Sequence, residues 1–121
     1  AKIMNSIKQY DVEINEIHHT TKLDSPSGTA ITLADSIIKN IERKKEWKNE
    51  QTANKQTLSI LSERKDSVPG THIIKYNSNT DLIELKHKAK NREGFAFGAI
   101  IAAEFLKNKK GVYKMEDVLG L

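Results

Sequence analysis

The sequence predicts an α+β fold, an open, mostly antiparallel or mixed sheet of about four strands with helices packed on one face. Three observations carry this. Segments with apolar residues at every second position gather in the first two thirds of the chain. Segments with apolar residues at every third or fourth position lie between and after them. The last three strand segments are joined by short, turn-rich connections, which favour antiparallel neighbours.

The chain opens on AKIMNSIKQY, with Ile3, Ile7 and Tyr10 at helical spacing. It has neither an initiator Met nor a cap, so it is expected to start inside a helix, as an excised part of a longer protein would. YDVEINEIHH then alternates, with Tyr10, Val12 and Ile14 on one face and Asp11, Glu13 and Asn15 on the other. Continuing that period puts Glu16 and His18 on the apolar side and His19 opposite. Ser25 or Ser27 suits a helix N-cap, and Pro26 a first helical position after Ser25. Ala30, Leu33, Ala34, Ile37, Ile38 and Ile41 form the stripe of the helix that follows.

Residues 48–56 have almost nothing to bury and read as a loop. Strands are expected at 57–64, 71–78 and 81–89, separated by DSVPG and NSNTD. GFAFGAIIAAEFLKN, residues 94–108, is a helix with Phe95, Ala99, Ala102 and Leu106 as its inner stripe, and a short helical turn closes the tail. A sheet with helices on one face leaves the other face uncovered. Where that face is apolar it needs a partner.

At 121 residues, 37% hydrophobic and 30% charged, the chain fits one soluble domain. No apolar run approaches the roughly 20 residues of a membrane span. There are no cysteines, which excludes disulfides and thiolate metal sites and points to a reducing, cytoplasmic setting. The charge is +4, yet the lysines are dispersed and aromatics few, so no nucleic-acid partner is expected. The basic runs Arg43 to Lys45 and Lys107 to Lys110 read as solvated helix ends. No nucleotide-phosphate loop or nucleophile elbow is present.

EIHHTTKLDSPSGTA, Glu16 to Ala30, concentrates the chemistry. Taken alone, His18 and His19 are most simply a solvent-facing pair at a strand end. Adjacent strand residues point to opposite faces, so they do not readily chelate one ion, and no H-E-x-x-H spacing exists; no metal is expected. A third reading is acid–base work, since imidazole titrates near neutrality. Lys22 adds a cation, and clustered positive charge holds imidazoles neutral until an anion binds. Ser27, Gly28 and Thr29 open the helix, where free N–H groups, the dipole and two hydroxyls suit a carboxylate. Gly28 lets a ligand approach the backbone closely. Asp24 either anchors the loop or pairs with Lys22. Structural roles are expected for His72 and His87, and Arg64 is left open.

The same stretch resembles the signature E-L/I-H-H-x-x-K-x-D-A-P-S-G-T-A of the 4-hydroxy-tetrahydrodipicolinate (dihydrodipicolinate) reductase family, departing only at Ser25. SERKDSVPGTHIIKY and HKAKNREGFAFGA resemble later segments of that family, so the similarity spans nearly the whole chain. It implies an oxidoreductase of lysine and diaminopimelate biosynthesis that reduces a cyclic dicarboxylate with NADPH or NADH. Carried over by position, His18 is the catalytic proton donor and Lys22 the catalytic lysine. His19, Ser27, Gly28 and Thr29 bind substrate. The resemblance covers the family's C-terminal domain only, residues 1–121 here, which binds substrate and builds a homotetramer through its open sheet. The N-terminal Rossmann domain that holds the cofactor is missing from it. The isolated domain is therefore expected to be inert as a reductase. The competing expectation is a non-catalytic, homo-oligomeric dicarboxylate-binding module.

Overall fold

The computed structural model describes residues 1–121, which divide into two compact units, 1–88 and 89–121. The first holds helix α1 (Lys2–Ser6), strand β1 (Asp11–His18), helix α2 (Gly28–Asn40) and strands β2 (Glu46–Lys48), β3 (Thr57–Arg64), β4 (Thr71–Asn77) and β5 (Leu82–Lys88). The second holds α3 (Glu93–Leu106) and α4 (Met115–Leu119).

The sheet is mixed, in the order β2-β3-β1-β4-β5. β1 is central and pairs in parallel with β3, the two joined through α2 as a βαβ crossover. On its other side β1 pairs antiparallel with β4, and β4 with β5. Sequence periodicity placed β3, β4 and β5 to within a residue or so. The short connection between β3 and β4 favours pairing them with each other, but β1 lies between them. The six-residue link 65–70 has ample reach, since it spans about 20 Å extended against about 10 Å for two strand spacings. The other addition is β2, a three-residue strand parallel to β3 through Trp47↔Leu58.

Alternation along β1 divides the sheet into two faces. Val12, Ile14, Glu16 and His18 are all buried, and each intervening residue is only partly so. The register places Leu58, Ile60, Ser62 and Arg64 of β3, and Tyr76, Ile74 and His72 of β4, on that same face. α2 lies over it with Ala30, Ala34, Ile37 and Ile41, and α1 adds Met4. Ile7 and Tyr10 pack against this core, whereas Ile3 is 78% exposed, so Met4 anchors the first helix. The covered face is apolar at its middle and becomes polar towards the C-terminal end of β1, where the site forms.

The basic run after α2 is a staple rather than a solvated end. Arg43 donates to the carbonyls of Met4, Asn5 and Tyr10. Lys44 is buried, 2.8 Å from Asp11 Oδ1, and donates to Thr57 O. Both bind the end of the crossover helix to the elements before it.

Within unit 89–121, α3 buries no residue, and the expected inner stripe is not observed. Phe95 and Leu106 are exposed, and Gly98, Ile101, Ala102 and Phe105 are the more sheltered set. Lys109 lies over the Phe105 ring, which meets Tyr113 edge-on. Gly120, left-handed at φ 69°, ends α4.

Candidate functional site

The polar end of the covered face is organised by a residue that composition marks as surface, Glu16. It is completely buried at the end of β1, because the strand's period turns it inward. A buried carboxylate is costly unless its oxygens are satisfied. Here the Ser27 N–H donates to both oxygens at 3.1 Å and Ser62 Oγ to Oε1 at 2.7 Å. Arg64 Nη2 adds a longer contact to Oε1 at 3.4 Å. Burial pushes the Glu16 carboxyl up, but these hydrogen bonds and the neighbouring His18 outweigh it, so the group stays below the usual carboxylate range and ionised.

Two imidazoles face the free side of that carboxylate. His18 Nδ1 is 3.4 Å and His72 Nε2 3.7 Å from Oε2. The two rings meet edge-on at 5.0 Å. Burial lowers the proton affinity of both. For His18, Glu16 opposes the shift, and the charges of Lys22, Arg64 and His19 reinforce it. For His72, His18 adds to the burial effect while Glu16 opposes it, and His87 and Lys22 lower it further. The site thus holds neutral imidazoles that an arriving anion would charge. Gly70 makes room for His18, since a Cβ there would sit 3.3 Å from Nε2.

Of the residues singled out from sequence, His18 lies in this buried cluster. His19, partly buried, bonds Thr21 Oγ1 through Nδ1 at 2.7 Å. Lys22 sits in the turn after β1, and its Nζ is 2.7 Å from Asp24 Oδ1, which holds the Asp24 carboxyl below its ordinary range. The Lys22 charge nonetheless reaches both His18 and His72.

Ser27, not Ser25, is the N-cap of α2. Its Oγ accepts from Ala30 N at 3.2 Å and pairs with His72 Nε2 at 3.1 Å. Ser25 Oγ instead accepts from Asn49, which also receives Ser62 Oγ, so the apparent loop 48–56 ties the site's turn to β3. Pro26 precedes the cap and is not the first helical residue.

Gly28 and Thr29 stand exposed at the first helical positions, where backbone N–H groups have no intrahelical acceptor. A Cβ on Gly28 would meet nothing within 4 Å, so neither packing nor a left-handed backbone explains the glycine. Gly28→Ala is therefore expected to leave the urea midpoint unchanged or slightly raised. On the expectation that Gly28 binds a carboxylate, affinity for a small dicarboxylate should fall several-fold, because the methyl group would occupy the open approach to the helix N–H groups. Unchanged affinity measured by calorimetry would place the ligand elsewhere.

Three residues of this cluster carry little functional signal in the sequence, which puts Glu16 on the apolar face without a role, leaves Arg64 open and points to a structural role for His72. Arg64 reaches Asp24 O at 2.6 Å as well as Glu16, and His72 touches Ser27. Their period-2 positions in β3 and β4 put them on the inner face. Only the pairings Glu16↔His72 and His18↔Arg64 bring them to one place. His87 pairs with His72 at the next strand and is exposed.

Fold and site together define a class, an open-sheet α+β domain with a cationic, imidazole-bearing corner suited to small anions. The chain belongs to the family of dihydrodipicolinate reductase C-terminal domains, since the family model described as "Dihydrodipicolinate reductase, C-terminus" matches residues 1–119. It is 49% identical over 119 residues, 98% of its length, to a 4-hydroxy-tetrahydrodipicolinate reductase of Christiangramia forsetii, covering 49% of that protein. It is 39% identical over 125 residues to the enzyme of that name from Aquifex aeolicus, covering all of this chain and 47% of the relative. Among solved structures it resembles a dipicolinate-bound dihydrodipicolinate reductase from Paenisporosarcina sp. TG-14, with a TM-score of 0.64 and 29% identity, over 96% of this chain and 48% of that one. The chain thus spans about half the length of the relatives it matches.

Proposed function

We propose that this chain is the substrate-binding and oligomerisation part of a 4-hydroxy-tetrahydrodipicolinate reductase of lysine and diaminopimelate biosynthesis. The observation that carries it is the pair of neutral imidazoles, His18 buried and His72 partly so, beside the Lys22 turn and a helix start with free N–H groups. In this reading His19, Gly28 and Thr29 hold the two carboxylates of the substrate, Ser27 supports them from the buried helix cap, and Lys22 stabilises charge or assists the proton transfer. His18 gives up a proton to the ring carbon that becomes basic during reduction. A bound dianion would raise the proton affinity of His18, which burial lowers first and the charges of Lys22, Arg64 and His19 lower further. Glu16 and His72 position His18.

The reaction also needs a hydride, which none of these residues supplies. The chain has no glycine-rich dinucleotide loop, and none of the residues of this site is assigned to the nicotinamide, NADPH or NADH. This chain by itself is expected not to oxidise NADPH. Sustained turnover by it alone would overturn that part of the reading.

Titration with pyridine-2,6-dicarboxylate tests the site. The ligand is a dianion near neutrality and raises the pKa of His18 and His72 on binding. The complex therefore takes up protons, and affinity rises as pH falls through the imidazole range around 6.5, levelling off below the free-state values. Calorimetry near that pH should show an apparent enthalpy that depends on the buffer's ionisation enthalpy. A buffer-independent enthalpy with pH-independent affinity would count against imidazole participation.

Self-association as a homotetramer through the open face is part of the same proposal. Ile17, Leu61 and Ile73 lie on that face with Asn15, whose Oδ1 is buried without a partner. Along β5, Leu82, which pairs with Asn77 opposite Asp11 on that same face, is 50% exposed. Sedimentation equilibrium is expected to give a species above monomer; monomer alone at micromolar concentration would remove this part.

A further inference from the structure

Glu16, His18 and His72 have a chemical property that carboxylate binding does not use. One oxygen or nitrogen from each lies within 4.8 Å of the other two, and the set is two neutral-capable imidazoles plus one carboxylate. Within it, Oε2 stands 3.4 Å from His18 Nδ1 and 3.7 Å from His72 Nε2, which would give up its 3.1 Å hydrogen bond with Ser27 Oγ to ligate an ion. Ligands about 2.0–2.1 Å from a tetrahedral ion stand roughly 3.3–3.4 Å apart, so the two carboxylate–imidazole spacings are near that value, and the two imidazole nitrogens, within 4.8 Å of each other, would close up by side-chain rotation. We propose that these three residues form a binding site for a first-row divalent transition metal ion, of which Zn²⁺ is the probe.

The second observation is an orphaned atom. His18 is 6% exposed, and its Nδ1 is buried with no hydrogen-bond partner although it faces Oε2. Buried imidazole nitrogens are ordinarily bonded, and an unpaired one calls for an explanation. The carboxylate is divided suitably. Oε1 takes Ser62 and Arg64, while Oε2 receives only the shared Ser27 N–H and keeps a lone pair towards the imidazoles. Metal-ligating carboxylates typically carry such outer hydrogen bonds.

Nearby cations do not defeat the site. Lys22 is matched by Asp24, and Arg64 is engaged by Asp24 O and Glu16 Oε1, so two cations stand against two carboxylates. Two imidazoles and one carboxylate favour Zn²⁺, Co²⁺ or Ni²⁺ over Mg²⁺ or Ca²⁺, which prefer all-oxygen sites. A metal-bound imidazole cannot become imidazolium, so occupancy would also silence His18 as an acid. That consequence rests on the proposed function; the metal site does not.

The test is titration of the metal-free chain with Co²⁺ and Zn²⁺ in buffer free of dicarboxylates, which would chelate metal themselves. One equivalent of Co²⁺ should bind with visible absorption typical of a nitrogen-ligated, low-coordinate ion, and Zn²⁺ should displace it. His72→Gln should weaken Zn²⁺ binding at least about tenfold, the lower end of what even outer-sphere losses cost. His19→Gln, outside the cluster, should change it less than twofold. Glu16→Gln should behave as His72→Gln does, and the His72 variant decides if the Glu16 variant fails to fold. No saturable binding, or equal affinity in wild type and His72→Gln, overturns the site. Either result leaves the dicarboxylate titration independent.

Discussion

Glu16→Ala is expected to lower unfolding free energy by about 2–4 kcal/mol, read as a fall in the urea midpoint. The reasoning is specific to this carboxylate. Removing it orphans the Ser27 N–H, which has no other partner, and deletes charge-assisted bonds from Ser62 and Arg64. A buried unsatisfied donor alone costs about 1–3 kcal/mol. Ser62 keeps Asn49 and Arg64 keeps Asp24 O, so the loss does not spread through the whole network. Glu16→Gln separates shape from charge. Its amide oxygen can take over Oε1's donors while the NH₂ faces the imidazoles, so it should cost only about 1 kcal/mol. Because the Glu16 charge supports the proton on His18 and His72, the same variant should move the pH dependence of dicarboxylate binding to lower pH. A Glu16→Ala protein as stable as wild type would show that the buried network contributes nothing.

Lys22→Ala is expected to weaken pyridine-2,6-dicarboxylate binding by about ten- to a hundredfold, the equivalent of the roughly 1.5–3 kcal/mol of one hydrogen bond to a charged group. Stability should barely change, because Lys22 spends its ammonium on exposed Asp24 and such surface pairs contribute little. Thr29→Val removes a hydroxyl at the exposed helix start and should lower affinity by a smaller factor, also without unfolding the chain. The decisive comparison is calorimetric titration of both variants beside a thermal melt. Full affinity in Lys22→Ala would exclude the cationic turn from the site, and lost affinity with a lowered melting temperature would assign the effect to folding.

These expectations depend on residues that were unevenly legible in the sequence. The period of β1 announced that Glu16 and His18 face inward, and the S-G-T start of α2 announced an anion-friendly helix end. Both signals are local, set by side-chain alternation and by the free N–H groups of a first helical turn. The clustering of Lys22 with the histidines was visible for the same reason.

The remainder lay in pairings between segments distant along the chain. Arg64 and His72 belong to the site only because β3 and β4 flank β1 in the registers that set His18 against Arg64 and Glu16 against His72. The short link between β3 and β4 suggests instead that those two strands pair, which would leave only one of them beside β1 and its Glu16 and His18. Lys44 shows the same limit, since a dense basic run reads as surface until Asp11 is seen to meet it.

The sequence by itself determined the α+β class and the span of the principal elements, and it singled out the stretch from Glu16 to Thr29 as the candidate site. Those follow from periodicity and local backbone chemistry, which act within a few residues. Tertiary structure alone decided that Glu16 is a fully buried, ionised hub, that His72 and Arg64 join it, and that His18 keeps an unpartnered nitrogen beside Oε2. Burial and register are properties of strands meeting, and side-chain spacing along one segment does not encode which segment will lie beside it.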